Sequence, residues 1–119
     1  MTASVKTVDD TLKKQIIIAL EPIGIQMIVL FGSYAYGLPS NDSDIDLLVV
    51  TSDNYIPGSF SEKQKISLKI NNALSFIRKN FPLDVIVHTK PMYQNFIHMN
   101  SAFQREISTK GIVLYEKNN

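Results

Sequence analysis

The chain has 119 residues, which suits one domain over 1–119 and leaves little room for a second. Hydrophobic residues make up 45% and charged residues 19%, a balance that excludes a disordered chain. The net charge of +1 gives no general attraction to nucleic acid or membrane, and the lack of cysteine excludes disulfides, thiolate metal centres and cysteine nucleophiles.

Met1 to Asp10 is polar, so no signal peptide is expected. No apolar run approaches the ~20 residues of a membrane-spanning helix. With the missing cysteines, this points to the cytoplasm. Residues 7–20 read as a helix, with Val8, Leu12, Ile16, Ala19 and Leu20 at helical spacing and Thr7 with Asp10 as its cap. Pro22 and Gly24 end it. Gln26 to Phe31 is a short apolar run of the kind that forms a buried strand. Gly32 and Ser33 punctuate it, a helical turn is expected over 33–38, and Gly37, Pro39, Ser40 and Asn41 make a loop. A second strand is expected from Asp44 to Thr51, then a turn at Pro57-Gly58.

Ser61 with Gln64 reads as a capping box for a helix reaching Asn80, with Ile66, Ile70, Ala73, Leu74 and Ile77 on its buried face. Phe81-Pro82 breaks it. Leu83 to Thr89 is a third strand, Pro91 suits a first helical turn, and 91–109 reads as helix in two pieces. Ile112 to Glu116 is a last strand. The expected fold is therefore α/β (α+β), a mixed sheet of about four strands packed on helices. The short connection between strands one and two makes them antiparallel, whereas the helix-bearing passage from two to three suits a parallel crossover. That topology brings Gly32-Ser33, Asp44 with Asp46, and Asp84 to one end of the sheet.

Alternate strand residues face one side, so Asp44 and Asp46 point together and Asp84 opens the neighbouring strand. Charges ~4 Å apart repel by about 4 kcal/mol at an effective dielectric near 20, so three carboxylates there call for a cation. Oxygen donors with room for phosphate and water favour Mg²⁺ or Mn²⁺. Glycine lets phosphate approach the backbone, and the Ser33 hydroxyl with nearby amides can hold its oxygens. No Walker loop and no dinucleotide fingerprint occurs.

Other singled-out residues read as ordinary structure. Asp42 and Asp53 are loop acids, Gly37 a turn, and His88 and His98 packed or surface histidines. Lys90, Arg105 and Lys110 are candidates to neutralise phosphate, with a solvated face as the usual fate of such charges. Tyr93, Phe96, Ile97, Met99 and Phe103 are mostly core, and any exposed part would mark an interface.

Gly32-Ser33, ten intervening residues and Asp44-Ile45-Asp46 resemble the G-S-x10-D-x-D signature of the DNA polymerase beta-like nucleotidyltransferase superfamily. The short chain and the ending Gly111-Ile112-Val113-Leu114-Tyr115-Glu116 look most like its minimal nucleotidyltransferase (MNT) branch. The resemblance implies that Asp44 and Asp46 bind metal, that Asp84 is a third carboxylate that activates the acceptor hydroxyl, and that Gly32 and Ser33 contact nucleotide phosphate. Many relatives carry a basic residue in the turn after Gly-Ser, where this chain has Tyr34, Ala35 and Tyr36. The activity implied is Mg²⁺-dependent transfer of AMP from ATP. MNT proteins are commonly antitoxins that pair with a helical HEPN toxin encoded nearby, and some adenylylate a tyrosine on it. Two alternatives stand beside this: an antitoxin that acts by contact alone, and a small-molecule adenylyltransferase of the aminoglycoside kind.

Overall fold

A computed structural model describes residues 8–37, 39 and 42–118. Helix α1 spans Asp10–Leu20 and is capped by Asp9, whose carboxylate accepts the Leu12 N–H at 2.8 Å. The capping oxygen is thus Asp9's, and the Thr7 of the expected pair lies outside the described residues. A 3₁₀ turn, Glu21–Ile23, leads into strand β1, Ile25–Phe31. One helical turn, α2 (Ser33–Tyr36), separates β1 from strand β2, Ile45–Thr51. The turn ends at Gly37, which is left-handed and donates its N–H to the Ser33 carbonyl.

Helix α3 spans Phe60–Ala73. Its cap is Ser59 rather than Ser61. The Ser59 hydroxyl accepts the Glu62 N–H at 3.2 Å, and the Glu62 carboxylate reaches back to the Gly58 N–H at 3.0 Å. Ser59 and Glu62 keep the three-residue spacing of a capping box two residues before the expected pair. Replacing Ser59 with alanine is expected to cost about 1 kcal/mol. Ser61→Ala should stay within about 0.5 kcal/mol. Urea denaturation of the two variants separates these caps, and equal losses would contradict the structure.

The expected continuous helix to Asn80 divides at Leu74, where the backbone relaxes to φ −91°, ψ 0° before α4, Ser75–Arg78. Leu74 itself is fully buried between Ile70 and Ile77, so the apolar stripe runs through the break. Strand β3 is Leu83–His88, helix α5 Lys90–Met99, helix α6 Ala102–Lys110 and strand β4 Ile112–Glu116. Thr89, expected as the end of β3, instead caps α5 by accepting the Met92 N–H at 3.4 Å.

The sheet order is β3-β2-β1-β4. β1 is antiparallel to β2 and to β4, and β2 is parallel to β3, as the connection lengths predict. Both faces of the sheet are covered, which explains the unbroken apolar runs of β1 and β2. One core joins Ile28, Leu30, Ile45, Leu47 and Val49 to Leu12, Ile16 and Leu20 of α1 and Ile70 of α3. The other joins Met27, Val29, Phe31, Leu48 and Val50 to Ile107 of α6, with Tyr93 and Phe96 of α5 packed on it. Strand alternation therefore puts Asp46 and Asp84 on the α5–α6 face, at the end of the sheet where β1 stops and β2 and β3 begin.

Candidate active site

Asp46 is the second residue of β2. It pairs with Phe31 on one side and with Asp84 on the other. The next residue after Phe31 is Gly32, with φ 73° and ψ −161°. That region is essentially open to glycine alone. A methyl group on Gly32 would lie 2.0 Å from Asp46 Oδ2 and 3.0 Å from its Cγ. The Asp46 carboxylate therefore fills the space that a side chain at position 32 would need. The Gly-Ser turn and the Asp-x-Asp element, ten residues apart in sequence, touch through this one missing Cβ.

Ser33 opens the single turn of α2, in which the N–H groups of Ala35 and Tyr36 both donate to the Gly32 carbonyl at 3.0 Å. The N–H groups of Ser33 and Tyr34 head that turn, where the helix offers no carbonyl to receive them. Asp44 stands one residue before β2, not inside it, and is exposed, as is Asp84. Burial pushes the Asp46 carboxyl above its ordinary value, and the charges of Asp84 and then Asp44 push it the same way. Among the described residues none of the three carboxylates has an ion pair or a side-chain hydrogen bond.

These groups fit a hard divalent cation in a particular manner. Among the described residues no set of three His, Asp or Glu side chains closes into a metal cage. Mg²⁺ does not ask for one, since it keeps several waters and binds through one or two carboxylates plus substrate phosphates. Asp44 and Asp46 would supply those carboxylates, with Asp84 on the adjacent strand. A cation would relieve the part of that rise that comes from Asp84 and Asp44.

The sequence from residue 13 to residue 119 matches the family described as polymerase beta nucleotidyltransferase. The chain belongs to the polymerase beta nucleotidyltransferase family. Three solved structures share the fold of this nucleotidyltransferase domain. One is a toxin–antitoxin crystallised with AMP-PNP, at 24% identity and TM-score 0.52, covering 89% of this chain and 74% of that one. A mutant of the MntA–HpeT toxin–antitoxin matches at 21% identity and TM-score 0.52, with the same coverage of 89% and 74%. A proposed nucleotidyltransferase from Sulfolobus solfataricus matches at 15% identity and TM-score 0.56, covering 88% of this chain and 77% of that one. No curated protein matches the sequence.

The remaining polar residues of the nucleotidyltransferase domain sort themselves by position. Asp53 accepts the Thr51 hydroxyl at 2.8 Å and shapes the loop after β2. His98 is exposed, its Nδ1 2.8 Å from the Gln94 carbonyl within α5. Lys90 follows β3 at the opposite end of the sheet from Asp84. Arg105 donates to the Asn100 carbonyl and so closes the bend between α5 and α6. Of the α5–α6 apolar group, Tyr93 and Phe96 pack on the core. Ile97, Met99 and Phe103 are exposed, so the group is less buried than its composition predicts. Lys110 is exposed, as expected of a solvated face, and its Nζ lies 5.4 Å from the centre of the Tyr36 ring.

His88 shares the Asp84 face of β3 but stacks edge-on against Phe96, with ring centres 5.2 Å apart. Its Nδ1 is buried without a hydrogen-bond partner. Burial lowers its pKa from the ordinary 6.5, and the Lys63 charge lowers it further. The folded state thus holds His88 neutral while the unfolded chain binds a proton more readily. Its contribution to stability is present above pH 6.5 and is lost as pH falls through the depressed folded value. His88→Phe is expected to flatten the fall in Tm as pH drops below 6.5. An unchanged pH profile would show that His88 is not the group responsible.

Proposed function

We propose that this chain is a Mg²⁺-dependent adenylyltransferase that moves AMP from ATP to a tyrosine hydroxyl of a helical HEPN-type toxin, and acts in the cytoplasm as that toxin's antitoxin. The observation that carries the transferase part is the Asp46 carboxylate lying on Gly32, beside Ser33 and in register with Asp84. It puts the turn that would bind phosphate against one of the two carboxylates that would hold the metal. The fold shared with a toxin–antitoxin crystallised with AMP-PNP supports the nucleotide and the partner.

The Ser33 hydroxyl and the amides of Ser33 and Tyr34 would hold the β- and γ-phosphates. The bound cation would supply charge neutralisation on the phosphoryl oxygens. Asp84 would accept the proton of the acceptor hydroxyl as its oxygen attacks the α-phosphorus. A new P–O bond forms to the acceptor, the bond to the bridging oxygen breaks, and pyrophosphate leaves with that electron pair. Catalysis on this reading is positioning and charge stabilisation rather than covalent chemistry.

The experiment is transfer of label from α-labelled ATP, with Mg²⁺, to the protein encoded beside this chain. Wild type should label the partner and Asp44→Asn/Asp46→Asn should not. Equal labelling by both overturns the assignment. The exposed Ile97, Met99 and Phe103 favour a second reading, neutralisation by contact. A variant that lacks both aspartates yet still neutralises the toxin in cells would decide for it.

A further inference from the structure

The turn after Gly32-Ser33 holds Tyr34, Ala35 and Tyr36 and no cation. This matters for charge. One divalent cation offsets only half the charge of an ATP tetra-anion, and Asp44, Asp46 and Asp84 add further negative charge facing the triphosphate. The fold supplies a positive group from elsewhere in the chain. Phe103, Ile107 and Lys110 follow one another at spacings of four and three, so they lie along one face of α6. Phe103 meets Phe31, the residue before Gly32, with ring centres 5.6 Å apart at 77°. Ile107 is buried with Val29 and Phe31. These two contacts fix α6 against the end of β1, and Lys110 in the last turn reaches the Tyr36 ring at 5.4 Å.

Tyr36 stands three residues after Ser33 in α2, so the two share a face of that turn. Tyr34 is turned the other way, against the core on the α1 face. An ammonium within about 6 Å of an aromatic ring is held by the ring's negative face. That hold is weaker than a charge-assisted hydrogen bond to phosphate, so the lysine can transfer to a stronger anionic partner. Among the described residues Lys110 makes no ion pair, and its nearest carboxylate in sequence, Glu106, stands one turn earlier on α6. Arg105 is tied to the Asn100 carbonyl and Lys90 sits at the other end of the sheet, so neither can take this role.

We propose that Lys110 is the cation that binds the β- and γ-phosphates of the nucleotide, brought to the Gly32-Ser33 turn from α6 and parked on Tyr36 until the triphosphate arrives. The assignment rests on the nucleotide-binding reading above. It makes Lys110 a residue that distinguishes a triphosphate from a monophosphate.

The test is equilibrium binding of Mg·ATP and of AMP to the full chain by NMR titration, which reads weak binding and needs no acceptor. Lys110→Ala and Lys110→Gln should weaken Mg·ATP binding about tenfold, the scale of one charge-assisted contact, and leave AMP binding within about twofold. Lys110→Arg should restore most of the loss, and Tyr36→Leu should weaken Mg·ATP binding by a smaller factor. Unchanged Mg·ATP binding in Lys110→Ala, beside a clear loss in Asp44→Asn/Asp46→Asn, overturns the Lys110 assignment alone. Equal losses for ATP and AMP also overturn it, because they would mark a structural role. Wild type that binds no Mg·ATP overturns the nucleotide reading itself.

Discussion

Gly32→Ala is expected to remove adenylyl transfer and to destabilise the fold. Two penalties act at once. The backbone at φ 73°, ψ −161° lies where a side chain is strained by about 1–3 kcal/mol. The added methyl would also meet Asp46 Oδ2 at 2.0 Å, so the carboxylate must leave its place. A misplacement of about 1 Å in a catalytic group costs on the order of 10²-fold in rate. Gly37→Ala is the matched control. Gly37 has a positive φ of 84°, yet its added methyl would meet nothing within 4 Å. It should show a smaller loss of stability, that of the left-handed backbone alone, and keep the active site. Denaturation midpoints and transfer rates of the two variants, measured side by side, separate backbone strain from displacement of Asp46. Transfer retained by Gly32→Ala would mean that the contact between the turn and the carboxylate is not part of the machinery.

The contact that makes this prediction was not legible in the sequence, although both partners were. Gly32, Ser33, Asp44, Asp46 and Asp84 stand out from spacing and from the apolar runs beside them. Those runs are long enough to fix strand order, and the connection lengths fix strand direction. Register is different. That Asp46 faces both Phe31 and Asp84 depends on how β1 and β3 slide against β2, which no local pattern encodes. Helix ends were displaced for a related reason. Ser61-Gln64 satisfies the capping pattern as well as Ser59-Glu62 does when only spacing is read. Lys110 shows the remaining gap. The sequence offers it, with Lys90 and Arg105, both as a phosphate neutraliser and as a solvated charge, and only the packing of Phe103 and Ile107 reveals that α6 delivers it to Tyr36.

Asp46→Asn should make the protein more stable and inactive. In the wild type the Asp46 carboxyl is raised by burial first, then by Asp84 and Asp44. A carboxyl raised in the folded state favours folding while it is protonated. That contribution is present below the unfolded value and is lost as pH rises through the raised folded value. Asparagine keeps the neutral form at every pH. The variant and the wild type should therefore melt together in acid and diverge toward neutral pH, with the variant higher. Exposed charge pairs are worth about 0.2–1 kcal/mol, and Asp46 is only half-buried, so a gain of a few degrees in Tm is the expected scale. Mg²⁺ should raise the wild-type Tm at neutral pH and do so far less in Asp46→Asn, because the ion and the mutation relieve the same repulsion. Transfer should fall by about 10²–10³-fold or more, the loss typical of one group that stabilises transition-state charge. Thermal melts across pH, with and without Mg²⁺, check all of this without a partner protein. A variant no more stable than wild type at neutral pH, or one that Mg²⁺ stabilises just as much, would show that Asp46 is neither the strained charge nor a metal ligand. The expected pattern, stability gained as function is lost, is the cost a protein carries when it gathers like charges at one end of a sheet for a cation to bridge.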